Sequence, residues 1–176
     1  MIINNTQIVD SFLVNLNDKF HDDRGKFSRL FCIKELSSIL QNRVIKQINF
    51  SETYKIGTIR GLHYQLYPYE EMKFIKCIYG KIFDVVIDMR KDSKSYLKWQ
   101  SFELSGGDSN LLIIPEGCAH GFQVMEENSK LLYLHTEVYM SSHETGIRYS
   151  SEDIGIAWPL DVTNISQRDA ALKTML

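Results

Sequence analysis

Leu131-Leu132-Tyr133-Leu134-His135-Thr136-Glu137-Val138-Tyr139 changes chemistry with a period of two. A strand sends successive side chains to opposite faces, so Leu131, Tyr133, His135, Glu137 and Tyr139 share one face and Leu132, Leu134, Thr136 and Val138 the other. An apolar face backed by one of Tyr, His and Glu fits a barrel wall, packed on a sheet on one side and lining a polar cavity on the other. Periodicity alone equally allows the polar face to meet solvent. Other short runs rich in Ile, Val, Phe, Tyr and Trp lie at 44–50, 58–65, 73–79, 82–88, 96–104, 111–114 and 119–125. Between them, Tyr79-Gly80-Lys81 reads as a tight connection and Ser105-Gly106-Gly107-Asp108 as a loop. Pro115-Glu116-Gly117 reads as a turn whose glycine takes positive φ. Many short antiparallel strands predict a sandwich or barrel. Helix is left to the edges: a short segment at 33–40, and a C-terminal helix capped by Ser166-Gln167-Arg168-Asp169 and running through Ala170-Ala171-Leu172.

With 176 residues, 44% hydrophobic and 24% charged, the chain is sized and composed as one folded domain, 1–176, with no repeat and no Pro-, Gly- or Ser-rich linker. Twenty Lys and Arg against 22 Asp and Glu leave a net charge of −2, so no positive field recruits nucleic acid or an anionic membrane. An anionic ligand must therefore meet locally placed cations. Cys32, Cys77 and Cys118 are too far apart for a Cys-x-x-Cys pair and read as buried small hydrophobes of a reducing compartment. Met1-Ile2-Ile3-Asn4-Asn5 has no basic and apolar leader pattern, and no stretch is apolar for the roughly 18 residues a spanning helix needs. A cytoplasmic location is expected.

Arg60-Gly61-Leu62-His63-Tyr64-Gln65 puts a guanidinium, an imidazole and an amide into six positions beside a glycine, dense for a wall strand. Pro115-Glu116-Gly117-Cys118-Ala119-His120-Gly121-Phe122 places a second histidine after a turn, between glycines that allow close approach of a ligand or another backbone. Taken singly, His63 fits a satisfied core or rim histidine, and His120 one bonded to its turn. Two histidines in a small barrel raise a metal site. The spacing opposes it, because there is no His-x-His and the nearest carboxylates, Glu70 and Glu71, make only a patchwork of ligands. No cofactor and no metal are expected. Phosphate-loop, dinucleotide and Gly-x-Ser-x-Gly motifs are absent, which removes NTPase, Rossmann and serine-hydrolase readings. Tyr64, Tyr67 and Tyr69 near Lys73 are weak evidence for single-strand nucleic-acid binding without a basic surplus.

Taken together, Asp23-Arg24-Gly25, Gln47-Ile48-Asn49, the Arg60–Gln65 run, Lys73, Phe83-Asp84-Val85-Val86-Ile87-Asp88, the run from Ile114 to Phe122, Glu144-Thr145-Gly146-Ile147 and Trp158-Pro159 resemble the dTDP-4-dehydrorhamnose 3,5-epimerase family. The match runs in order from about Phe12 to about Ala170. The resemblance implies an all-β, cupin-type jelly-roll barrel with short flanking helices. It also implies a metal-independent epimerase of a nucleoside-diphosphate 4-keto-6-deoxy sugar, and a homodimer with exchanged edge strands. Inverting a carbon beside a ketone needs a base on one face, an acid on the other and a group to stabilise the enolate oxygen. By resemblance, His63 is the base, Tyr133 the proton donor, Lys73 the cation near the keto group and Asp169 the carboxylate that orients His63. Asp169 fits a helix cap equally well. Arg24, Arg60 and Arg168 are the implied diphosphate ligands, a role suited to a bidentate guanidinium. Gln47, Asn49, His120 and Glu144 match substrate-contacting positions. His21, His135 and His143 have no implied role and are read as structural.

The departures from the family pattern fall outside that core. Arg29 stands where the family usually carries Glu in its nucleotide-side contacts. Glu71-Met72 replaces Gln and a small residue before Lys73, adding bulk and negative charge at the cavity mouth. Val138 replaces an aromatic, Phe50 replaces His, and one extra residue lies between Ser51 and Gly57. The reaction class is therefore firmer than the substrate. A single-centre epimerase of a GDP- or CDP-linked 4-keto sugar stays open, as do a metal-dependent cupin oxygenase or isomerase, a ketoisomerase and a non-catalytic sugar-binding barrel.

Overall fold

The structure is a computed structural model that describes residues 1–16 and 20–175; the side chains of Phe20 and His21 also lie outside the description, and with them the reading of His21. In chain order the strands are β1 (Ile2–Asn5), β2 (Phe12–Asn15), β3 (Phe20–Asp22), β4 (Gly25–Phe27), β5 (Gln47–Thr53), β6 (Ile59–Gln65) and β7 (Lys73–Tyr79). They continue with β8 (Lys81–Asp88), β9 (Trp99–Ser105), β10 (Asn110–Ile114), β11 (Cys118–Val124), β12 (Ser129–His135) and β13 (Glu144–Gly146). Two single-turn helices, α1 (Ser37–Leu40) and α2 (Gln167–Ala170), flank them.

Six strands form one antiparallel sheet in the order β1-β2-β10-β7-β12-β5, and five form another in the order β13-β6-β11-β8-β9. From β5 to β13 the chain passes from one sheet to the other at every connection except β8 to β9, the alternation of a jelly roll. The tight Tyr79-Gly80-Lys81 connection is thus no hairpin, since it carries the chain between sheets. Inner side chains of both sheets meet in a core that includes Ile75, Val86, Leu112, Phe122 and Leu131. β8 reads as nearly continuous apolar sequence because both its faces are covered: Ile82 and Val86 join that core, and Val85 and Ile87 pack with Leu62, Ile147 and Ile154 on the other side. The outer face of the six-stranded sheet is covered by Leu36, Ile39 and Leu40 around α1.

The predicted strands all exist, with one shortened in a way that matters. β12 ends at His135 rather than Tyr139, so Glu137 and Tyr139 leave the ladder. The strands β1 to β4 were not anticipated; they are three or four residues long, too short for a period to register. The expected helix at 33–40 narrows to its last turn. At the C-terminus Ser166 Oγ accepts the Asp169 N–H at 3.0 Å as the predicted cap, but the helix stops at Ala170. Cys77 and Cys118 are buried and free of disulfides as expected, while Cys32 is only half-buried. No described helix is long and apolar enough to cross a membrane.

Candidate active site

A cavity of about 770 Å³ is lined from both sheets and from the segment 164–169. On the five-stranded side, β6 and β11 cross closely because neither Gly61 nor Gly121 has a side chain. A Cβ on Gly61, whose φ is +114°, would sit 2.6 Å from Gly121 Cα. Of the two glycines framing His120, Gly121 thus admits another backbone, one of the two uses the sequence left open, whereas Gly117 makes room for the Arg90 side chain. The ladder is irregular there and sets His63 opposite His120.

His63 projects into the cavity while its neighbour Leu62 is buried on the outer side of the sheet. Its Nε2 lies 2.9 Å from Asp169 Oδ1, and Asp169 Oδ2 accepts the Gly61 N–H at 3.1 Å. Burial opposes the charge on Asp169, yet the bonds from His63 and Gly61 outweigh it and hold the carboxyl below its usual range. A carboxylate only accepts, so the imidazole proton belongs on Nε2 and the Nδ1 lone pair is left available. Glu144 Oε1 is 3.8 Å from that Nδ1. Asp169 therefore both orients His63 and sits at N3 of the Ser166-capped helix.

From the six-stranded sheet, the half-buried Tyr133 ring lines the same cavity, its hydroxyl 3.4 Å from Ser51 Oγ. Protein packed around the phenol makes ionisation costly and pushes its pKa above the ordinary tyrosine value. Lys73, 6% exposed, donates from Nζ to the His63 carbonyl at 3.0 Å and pairs with Glu71 Oε1 at 3.2 Å.

Gln47, Asn49, Arg60, His120, Glu144 and Arg168 also line the cavity. His120 Nε2 is held by the fully buried Asp84 at 2.8 Å, and Arg60 Nε donates to Thr53 Oγ1 at 2.9 Å. Arg168 is paired with Glu144, which also accepts the Tyr139 hydroxyl at 2.7 Å. Two expected ligands are elsewhere. Arg24 pairs with Asp22 in the exposed β3–β4 turn, and Arg29 pairs with Glu35 at 2.7 Å; neither lines this chain's cavity.

Two readings are corrected. His135 is no mere structural histidine: it lines the cavity, stacked on Tyr133 with ring centroids 6.0 Å apart. Its place on the Tyr133 face was visible in the period of two. Glu71 does bring a negative charge to the cavity, 9% exposed and gripped by Lys73 and His135, but the bulk of Met72 lies away from it, in the outer-face core with Phe74 and Leu134. Sequence reasoning also missed Thr58 and Asn164 in the lining, while Tyr139, expected on the cavity face, lines it from beyond the end of β12. Asn164 reaches the site through an isolated parallel bridge to Thr58, which leaves no pattern in the sequence. His143 stays structural, bonded to Ser142 Oγ at 3.0 Å and packed on Tyr69. Among the described residues, no group of three or more His, Cys, Asp or Glu side chains is placed to hold a metal ion.

Comparison with known proteins gives the class that this fold and site define: a carbohydrate isomerase, specifically an epimerase, built on a cupin jelly roll. The chain belongs to the dTDP-4-dehydrorhamnose 3,5-epimerase family, whose model matches residues 5–176. The dTDP-4-dehydrorhamnose 3,5-epimerase of Shigella flexneri is 38% identical over 151 residues, covering 85% of this chain and 83% of its own. That of Salmonella typhimurium is 35% identical over 173 residues, covering 97% and 93%. The crystal structure of the Bacillus anthracis enzyme with TDP and PPi bound superposes with a TM-score of 0.94 at 32% identity, covering 99% of each chain. A Legionella pneumophila dTDP-6-deoxy-D-glucose-3,5-epimerase in complex with dTDP-4-keto-L-rhamnose gives 0.91 at 34% identity, covering 98% of this chain and 92% of its own.

Proposed function

We propose that this chain inverts C3 and C5 of a dTDP-linked 4-keto-6-deoxyhexose without a metal or cofactor. The single observation that carries the reading is the shared cavity: a carboxylate-held imidazole from one sheet and a poorly ionised phenol from the other face the same space. His63 Nδ1 takes the proton from the carbon beside the ketone, and the imidazolium formed is stabilised by Asp169 and Glu144. The electron pair moves onto the keto oxygen as an enolate. Lys73 places an ammonium by that oxygen, where low hydration strengthens its field. Tyr133 returns a proton from the opposite side, and its phenolate and the imidazolium then exchange protons with solvent to reset the site. Arg60, Arg168 and His120 bind the diphosphate, while Gln47, Asn49 and Glu144 hold the sugar.

A homodimer with exchanged edge strands completes the reading. It is supported by apolar side chains on the edges of the six-stranded sheet, Ile2 on β1 and Ile48 and Phe50 on β5, which are 53, 62 and 57% exposed.

The test is incubation with dTDP-, GDP- and CDP-linked 4-keto-6-deoxy sugars in heavy water, with NMR reading which carbon gains deuterium. Deuterium at both C3 and C5 of the dTDP sugar is expected, unchanged by chelator. Incorporation at one carbon makes the chain a single-centre epimerase, and preference for GDP or CDP reassigns the nucleoside. No incorporation, or loss in chelator, overturns the proposal.

A further inference from the structure

Six groups around the cavity form a hydrogen-bond chain whose direction is fixed from its first donor. The Tyr139 backbone N–H can only donate, and it does so to Gln47 Oε1 at 2.9 Å. Gln47 Nε2 is therefore the amide's donor side, and it reaches Asn49 Oδ1 at 3.1 Å. Asn49 Nδ2 then donates to His135 Nε2 at 3.3 Å, which leaves the ring proton on Nδ1 to donate to Glu71 Oε2 at 3.0 Å. The other oxygen, Glu71 Oε1, receives Lys73 Nζ at 3.2 Å.

Strand geometry assembles the last three members. Glu71 precedes Lys73 by two residues, and His135 is the direct partner of Lys73 across the β7–β12 ladder. Lysine is a point charge on a flexible four-carbon stem with three donors. Here Glu71 and the His63 carbonyl take two of them, leaving one N–H of a buried ammonium for the cavity. Burial resists the Glu71 charge, but His135 and Lys73 outweigh it and keep the carboxyl below its usual range.

We propose that Glu71 and His135 are positioning residues for the reaction: His135 anchors the Glu71 carboxylate, and Glu71 aims Lys73 at the developing enolate oxygen. This rests on the epimerase reading above. Because His135 acts through Glu71, the two losses do not multiply. An amide at position 71 keeps one oxygen for Lys73 but turns its NH2 on the His135 Nδ1–H, donor against donor, so it keeps the aim and loses the anchor.

The experiment is steady-state kinetics and heavy-water exchange on a dTDP-linked 4-keto-6-deoxyhexose for the parent, Glu71→Ala, Glu71→Gln, His135→Ala and the Glu71→Ala/His135→Ala double variant. Misplacing a catalytic group costs roughly 10- to 100-fold, so Glu71→Ala should lose about that much in kcat with KM within about threefold. Glu71→Gln, which keeps the oxygen and loses the anchor, should lose kcat by about as much as His135→Ala, both less than Glu71→Ala and both with KM within about threefold, and the double variant should fall no further than Glu71→Ala. If Glu71→Ala does not fold, the matching kcat losses of Glu71→Gln and His135→Ala, with KM unchanged, carry the test. A loss confined to KM, a Gln variant as impaired as Ala, an unimpaired His135→Ala, or multiplying losses overturns the proposal. A parent protein that incorporates no deuterium overturns the epimerase reading instead.

Discussion

His63 and His120 face one another across the β6–β11 ladder, and each ring is held by its own carboxylate, Asp169 on His63 and Asp84 on His120. The two are not equivalent. The His120 side chain is 6% exposed against 26% for His63, so only His63 offers a nitrogen with room for a substrate proton. Chemistry at His63 then depends on which nitrogen carries the proton at rest.

Asp169→Asn tests that dependence. The amide can donate to Nε2 and so stabilise the wrong tautomer, with Nδ1 protonated. A loss of about 10²–10⁴-fold in the rate of solvent exchange is expected, with nucleotide affinity within about threefold. Isothermal titration with dTDP alongside the exchange assay checks both halves; unaltered exchange would remove Asp169 from the mechanism.

Tyr133→Phe separates the two proton transfers. Exchange at the sugar carbons should persist at a reduced rate, whereas formation of the inverted product should fall by about 10²–10⁴-fold, the usual weight of a general acid. Equal loss of both would give the phenol another task. Because burial raises the phenol above the ordinary tyrosine value near 10, its acid form persists through that pH. The parent pH–rate profile should therefore show no alkaline limb from this group below about pH 10.

Gly61→Ala should be costly for a reason confined to backbone. The added Cβ meets Gly121 Cα at 2.6 Å and the His120 carbonyl at 2.7 Å, neither of which can rotate away, and the residue's φ of +114° disfavours any side chain. A loss of about 3 kcal/mol in urea unfolding is expected, from overpacking and backbone strain together. Parent-like stability would mean that β6 and β11 slide apart easily.

Acid sensitivity should centre on Asp88, away from the cavity. Burial opposes its charge, but Arg90, Ser93 and Ser95 all donate to it and hold its pKa well below the usual carboxylate range. A lowered native pKa means the ionised form favours folding. That contribution is complete above about pH 4, the unfolded value, and is lost as pH falls through the native one. Asp88→Asn should cost about 3 kcal/mol at pH 7, measured by urea unfolding, and the gap to the parent should narrow in acid. A constant gap from pH 7 to pH 3 would place the acid sensitivity elsewhere.

The face of β12 could be read from sequence because it is a seven-residue strand with apolar residues on one side and Tyr and His on the other, and alternation is all that a wall strand needs. The catalytic candidates on β6, β7 and β12 could be read for the same reason, helped by the resemblance. Contacts made by irregular chain were less legible. Nothing in the sequence spacing shows Tyr139 turning back to Gln47, or Asn164 bridging to Thr58, since neither follows a period. His135 shows a different failure: its face was correctly placed, but its partner Glu71 lies 64 residues away and only the ladder register brings them together. Arg24 in the turn of the separate β3–β4 pair and Arg29 beyond any strand lie outside the cavity, placements that no period in the sequence marks.

The alternation of strands between the two sheets has a consequence for biosynthesis. Neither layer can be finished while the other waits, and His63 lacks its carboxylate until a residue 106 positions later has been threaded back beside Gly61. Many pairings of such long sequence separation favour slow folding, and a ribosome-bound chain made only through Trp158 would hold nearly the whole wall of the cavity without the carboxylate that clamps its base.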